Sequence, residues 1–185
     1  MKRANTIIIA IATLFLTSCA STAPLSTTKP DFDTAYTVNA DITYGKLEAK
    51  AEVKRQDDEC WEFRFTEPKA LSGVIVQLND DGVTAKLGGL SFTAEDGLPF
   101  DLVPDIIATS VDSLNDLQAE SIQQQETIMT LSTNFGGEPV TITADSTTGH
   151  LLTLKSPYHK LFVEFSGQAE SEEIATEECG LMELE

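Results

Sequence analysis

Side chains able to do chemistry are few in this 185-residue chain, and they lie far apart. The histidines are His150 and His159; the cysteines are Cys19, Cys60 and Cys179. A nucleophilic cysteine needs a base to take its proton, and no histidine stands near Cys60 or Cys179 in sequence. Both histidines fall at strand edges or turns, outside any Cys/His spacing that would ligate a metal. No G-x-S-x-G, H-E-x-x-H or phosphate-binding loop occurs. Asp80-Asp81-Gly82 lacks the alternating oxygen donors of a calcium loop and reads as a turn. Thirty Asp and Glu residues guarantee accidental carboxylate pairs, so a glycoside-cleaving pair has no specific support. These residues predict no enzyme, no cofactor and no metal.

Cys19 stands apart because of what precedes it. Lys2 and Arg3 open the chain, an apolar run covers residues 7–16, and Leu16-Thr17-Ser18-Cys19 follows. A basic start, a short apolar core and small residues at a cut site describe an export signal over residues 1–18. The run is shorter than the roughly 20 residues a permanent membrane-spanning helix needs. Leu, two small residues and Cys resemble the lipobox of bacterial lipoproteins. The resemblance implies cleavage before Cys19 and a lipid thioether on it. It also implies an extracytoplasmic site in the bacterial cell envelope, with Cys19 as the lipid attachment to a membrane. Two acyl chains make that attachment durable, since each buried methylene contributes about 0.8 kcal/mol. Ala20, where an Asp would signal inner-membrane retention in the family, implies no such signal. Residues 19–33, rich in Ser, Thr and Pro, read as a flexible tether, with Leu25 and Phe32 as anchors if the arm is ordered.

The formal net charge is -18, and removing residues 1–18 makes it more negative because Lys2 and Arg3 leave. Phosphates would be repelled, which excludes non-specific nucleic-acid binding. The acidity serves solubility or, as the sharper alternative, attracts cations or a basic protein partner. With Cys19 lipidated, Cys60 and Cys179 remain as an even pair outside the cytoplasm. They either form a disulfide that fastens the acidic tail, residues 168–185, to the third strand, or stay as two free thiols; sequence does not show whether their Cα atoms approach.

The elements that would position these groups are mostly strands. Period-two alternation runs through residues 34–43, 46–55 and 60–66, with Leu47, Ala49, Ala51 and Val53 on one face and Lys46, Glu48, Lys50, Glu52 and Lys54 on the other. Trp61, Phe63 and Phe65 share a face, and Pro68 ends that strand. Further strands are expected over 71–78, 83–87, 90–94, 121–132, 139–144, 150–155 and 161–166. Asn79-Asp80-Asp81-Gly82 and Gly136-Gly137 are turn sequences. Between residues 99 and 117 the apolar spacing changes to three and four, which predicts one amphipathic helix. Pro104 suits its first turn, and Asp101 and Asp105 favour its positive end. Residues 34–167 suffice for one core. The predicted fold is mainly β, of α+β type: a strongly curved antiparallel sheet or half-barrel with one main amphipathic helix across its concave face.

At Trp61-Glu62-Phe63-Arg64-Phe65-Thr66-Glu67-Pro68 the chain resembles the lipoprotein-localisation (Lol-type) carriers of the bacterial envelope and their lipid-anchored, glycolipid-binding relatives. The order of elements from Thr34 to Phe165 is similar too. The resemblance implies a half-open barrel around an apolar cavity for acyl chains, closed by helix. Arg64 is the one candidate in the aromatic strand for the family's lipoprotein-handling arginine. The candidate lining is Trp61, Phe63, Phe65, Val74, Val76, Leu90, Phe92 and Phe162 from strands, with Leu102, Ile106 and Val111 from the helix. An ordinary dry core of the same residues is the competing expectation. The functional expectation is a membrane-anchored lipoprotein that binds or carries a lipid or other apolar ligand. The alternative is a non-enzymatic interaction or regulatory module of the envelope that binds a protein partner and no ligand.

Overall fold

The structure, a computed structural model, describes residues 32, 34–56, 60–79, 82–94, 102–117 and 121–170. Six strands come first: β1 (Tyr36–Tyr44), β2 (Leu47–Arg55), β3 (Trp61–Glu67), β4 (Ile75–Asn79), β5 (Gly82–Leu87) and β6 (Leu90–Ala94). The helix α1 (Val103–Asp112) follows, then β7 (Ile122–Gln125), β8 (Ile128–Phe135), β9 (Glu138–Asp145), β10 (Leu151–Ser156) and β11 (Leu161–Glu170). All eleven strands form one antiparallel sheet in the order β6-β5-β4-β3-β2-β1-β11-β10-β9-β8-β7. The chain therefore starts mid-sheet, works outward to one edge, crosses as α1 to the far edge and returns to lie beside its first strand.

Short turns impose this order, because consecutive strands joined by a few residues must pair antiparallel. Gly88 and Gly89, with φ of 55° and 84°, form the β5–β6 turn. Two consecutive positive φ values match the right-handed twist of a two-residue hairpin, and glycine adopts them without steric cost. Gly136-Gly137 repeats the device between β8 and β9.

Curvature follows from what α1 touches. It contacts β4 on one side and β8 on the other, strands seven places apart in the sheet. Laid flat, those strands would be about 34 Å apart at ~4.8 Å per interval, whereas ten helical residues span about 15 Å. The sheet must curl to bring both to one helix, and it does so without closing, as a half-barrel around a single helix. Ile106, Ile107, Val111 and Leu114 are the apolar stripe, buried against the concave side in one continuous core.

Several expected boundaries move. Residues 71–73, read as the start of the fourth strand, belong to the turn after Pro68, and β4 itself begins only at Ile75, although Gly73 and Val74 already bond to Phe65 of β3. The single strand expected over 121–132 is two strands, broken at Glu126, whose φ is 55°. The helix is shorter than 99–117: it ends at Asp112, and residues 113–116 continue as turns. Residues 99–101 lie outside the described residues. β11 continues to Glu170, so its last three residues belong to the segment read as tail. Residues 1–31, with the signal and most of the tether, and residues 171–185 lie outside the described residues, as do Cys19 and Cys179.

Candidate apolar ligand site

Cross-strand register lays the concave face out in rows. One row runs Val38, Val53, Phe63, Val76, Ala85, Phe92 from β1 to β6. Directly opposed residues point to the same side of a sheet, so these six share a face. Val38, Val53 and Phe63 are fully buried, Val76 is nearly so, Ala85 is half-buried, and Phe92 is 60 % exposed. The next row passes through Ala40, Ala51 and Phe65, all buried; farther out on the same face Leu87 and Leu90 pair with each other, both exposed. Burial thus fades beyond β4, while the apolar character continues to the sheet edge.

Seven of the expected lining residues meet in one core: Trp61, Phe63, Phe65, Val76, Ile106 and Val111 are buried, and Val74 packs against them half-buried. Leu102 is half-buried at the N-cap of α1, where it makes no side-chain capping bond. Leu90 and Phe92 share the face but stand open, Leu90 at 77 % exposure. Phe162 is a correction. It alternates with buried Leu161 and Val163 and opposes Thr43 and Lys155, so it lies on the outer face. Both phases of that strand are apolar near its start, and the phase with three members, Leu161, Val163 and Phe165, goes inside.

Arg64 also points out, donating to Glu62 Oε1 at 2.9 Å on the exposed face. The inward arginine is Arg55, only 2 % exposed. Its Nε donates to Asp112 Oδ1 at 3.0 Å, and Trp61 Nε1 donates to Asp112 Oδ2 at 2.8 Å. The guanidinium also sits 5.8 Å from the Trp61 ring centre, inside cation–π range. Tyr36 meets Trp61 edge-on at 6.0 Å. Its hydroxyl finds no hydrogen-bond partner among the described residues, and burial raises the phenol above its ordinary range, Arg55 opposing and Asp112 reinforcing. Sequence reasoning missed Arg55 although the signal was there: it continues the Leu47, Ala49, Ala51, Val53 phase.

The space between α1 and the sheet is occupied by side chains from both. A recess of about 30 Å³ lies beside Tyr36, lined also by Thr34, His150 and Gln168. It has room for about one water and not for an acyl chain.

Cys60, buried at the head of β3, is disulfide-bonded, and its partner lies outside the described residues. Ser156 Oγ and His159 Nδ1 are 2.8 Å apart. Ser156 is fully buried, so this pair ties the β10–β11 turn together. No group of three or more His, Cys, Asp or Glu among the described residues could hold a metal.

No family model matches this chain, and no curated protein does. Among solved structures it is similar to an uncharacterized conserved protein from Thermus thermophilus (10% identity, TM-score 0.48, covering 75% of this chain and 80% of that one). It is similar to a LolA superfamily protein from Nitrosomonas europaea (9% identity, TM-score 0.46, 79% and 90%). A third similar structure is the Mycobacterium tuberculosis lipoprotein LppX (14% identity, TM-score 0.41, 77% and 88%).

Proposed function

We propose that this chain is a bacterial envelope lipoprotein, anchored by lipid on Cys19, whose half-barrel binds an apolar ligand of acyl-chain type. One observation carries the reading. The apolar concave face outruns its helical cover and leaves Leu87, Leu90 and Phe92 open beside a core made of the same rows. A contiguous exposed apolar surface marks a place meant to be covered. The ligand lies along β4–β6, against the edge of α1. The two bonds that Asp112 accepts from Arg55 and Trp61 fasten the C-terminal end of α1 and set how readily the helix yields to a longer guest. No reaction is assigned, and the protein acts by binding.

Lipidation of Cys19 removes it from disulfide chemistry, which makes Cys179 the partner of Cys60 and fastens the acidic end of the chain next to Trp61. The ligand reading is tested on full-length protein extracted from membranes. Native mass spectrometry should show co-purifying lipid, and a fluorescent fatty acid should bind with an affinity that Leu90→Ser and Phe92→Ser lower. A bare protein mass together with no probe uptake would overturn the reading.

A further inference from the structure

The edge strand β6 carries features that ligand binding does not require. Edge strands of natural sheets are shielded by charge, proline, a bulge or a covering segment, because open backbone groups invite another strand. β6 has the sequence Leu-Ser-Phe-Thr-Ala, with no charge and no proline, and it pairs with β5 without a register shift. Four of its five residues are exposed, and Ala94 is half-buried. Charge is also distributed unevenly. The chain carries 30 acidic residues, yet β4, β5 and β6 contain none, and Lys86 is their single charged residue. Asp80-Asp81 and Glu95-Asp96 border this flank, but two β6 strands can pair without setting any strand carboxylate against another.

Hairpin geometry fixes which atoms are offered. Leu87 and Leu90 flank the Gly88-Gly89 turn as a hydrogen-bonded pair, and bonding alternates from there. The amides and carbonyls of Ser91 and Thr93 therefore face away from β5. We propose that β6 is the contact surface for a second copy of this chain, the two β6 strands pairing antiparallel about a two-fold axis at Phe92. In that register Ser91 bonds to the partner's Thr93 and Thr93 to the partner's Ser91, which uses every outward backbone group of the strand. Phe92 faces its own counterpart as a non-hydrogen-bonded pair, the closer kind, and Leu90 faces the partner's Ala94. The concave faces of the two half-barrels become one apolar surface. The other edge, β7, suits this less: it reads Ile-Gln-Gln-Gln and offers no apolar row. A β6-to-β7 contact would also be head-to-tail and open-ended, whereas β6-to-β6 closes.

The proposal rests on the register of β6 and on an edge left open among the described residues, and it holds whether or not a ligand binds. Full-length protein in detergent should sediment as a dimer, and Thr93→Pro should shift it to monomer. That proline removes an outward N–H and leaves the bonds to β5 intact. Phe92→Cys gives a second reading that does not depend on how the proline variant folds. Non-hydrogen-bonded pairs place Cα atoms about 4.5 Å apart, within disulfide reach. Mild oxidation should therefore give a linked dimer for Phe92→Cys and lose it for Leu87→Cys, one strand inward. A monomer at every concentration would overturn the proposal. So would open-ended oligomers, equal cross-linking of the two cysteine variants, or a monomer that instead binds phosphatidylglycerol vesicles through β6.

Discussion

Arg55 on β2 donates from Nε to Oδ1 of Asp112, the last residue of α1, across 3.0 Å. The arginine side chain is 3 % exposed and the aspartate 18 %, so this ion pair is largely withdrawn from water. Removing one partner from such a pair leaves a desolvated charge, which typically costs about 3–5 kcal/mol, whereas replacing both with apolar groups is close to neutral. Asp112→Ala should therefore destabilise by about 3 kcal/mol in urea unfolding, and adding Arg55→Met should restore most of the loss. The single variant should also take up a fluorescent fatty acid more readily, because α1 is no longer fastened at that end.

Phe63 and Phe92 belong to one row and should behave oppositely. Phe63 has no exposed surface, and Phe63→Ala should cost about 3–5 kcal/mol through lost burial and the cavity left behind. Measured on dilute monomer, Phe92→Ser should change stability by no more than about 0.5 kcal/mol, the usual range for exposed sites, while weakening ligand uptake. Denaturant melts and probe titrations on the two variants measure both effects.

The β9–β10 turn should respond to acid. Asp145 Oδ1 accepts from the amides of Thr148 and Thr147, each at 2.8 Å, and from the Thr148 hydroxyl at 3.1 Å. The Thr148 amide and then the Thr147 amide favour the ionised form and hold this carboxyl below the ordinary aspartate range. A depressed pKa in the folded state means the bonds stabilise the turn fully above the unfolded-state value of about 3.9. That stabilisation is lost as pH falls through the lower folded value. Carboxyl NMR shifts should show Asp145 titrating below the unfolded-state value. Asp145→Ala should speed exchange of the Gly149 amide, which bonds to the Asp145 carbonyl at 2.9 Å.

Peptide mapping without reduction should recover Cys60 linked to Cys179. Cys179→Ser should lower stability by about 2–5 kcal/mol, the usual cost of losing a native disulfide in a small exported domain. Recovery of Cys60 joined to Cys19 would contradict both the pairing and the lipid anchor.

Much of this fold was legible because alternation is a local property. Trp61, Phe63 and Phe65 announce an inward face two residues at a time, and Gly136-Gly137 and Asn79 to Gly82 announce their turns. The misses have local causes as well. Glu126-Thr127 contains none of the usual turn residues, so β7 and β8 read as one strand. Helix α1 ends without glycine or a basic residue in its last turn, which leaves its stop unmarked. Arg55 was assigned to neither face of its strand, although it continues the inward phase of Leu47, Ala49, Ala51 and Val53. That β6 stands exposed among the described residues is a matter of tertiary packing, which no short stretch of sequence encodes.

Ile42 pairs with Val163, far along the chain, at the centre of the sheet. The strand made first waits for the strand made last. Each flank can zip hairpin by hairpin as it emerges, yet the seam joining them closes only once Leu161–Glu170 exists. Loop closure over such a separation is entropically slow. Assembly should therefore be governed by this late central seam, and a chain cut short before β11 should retain two flanks joined through α1 alone.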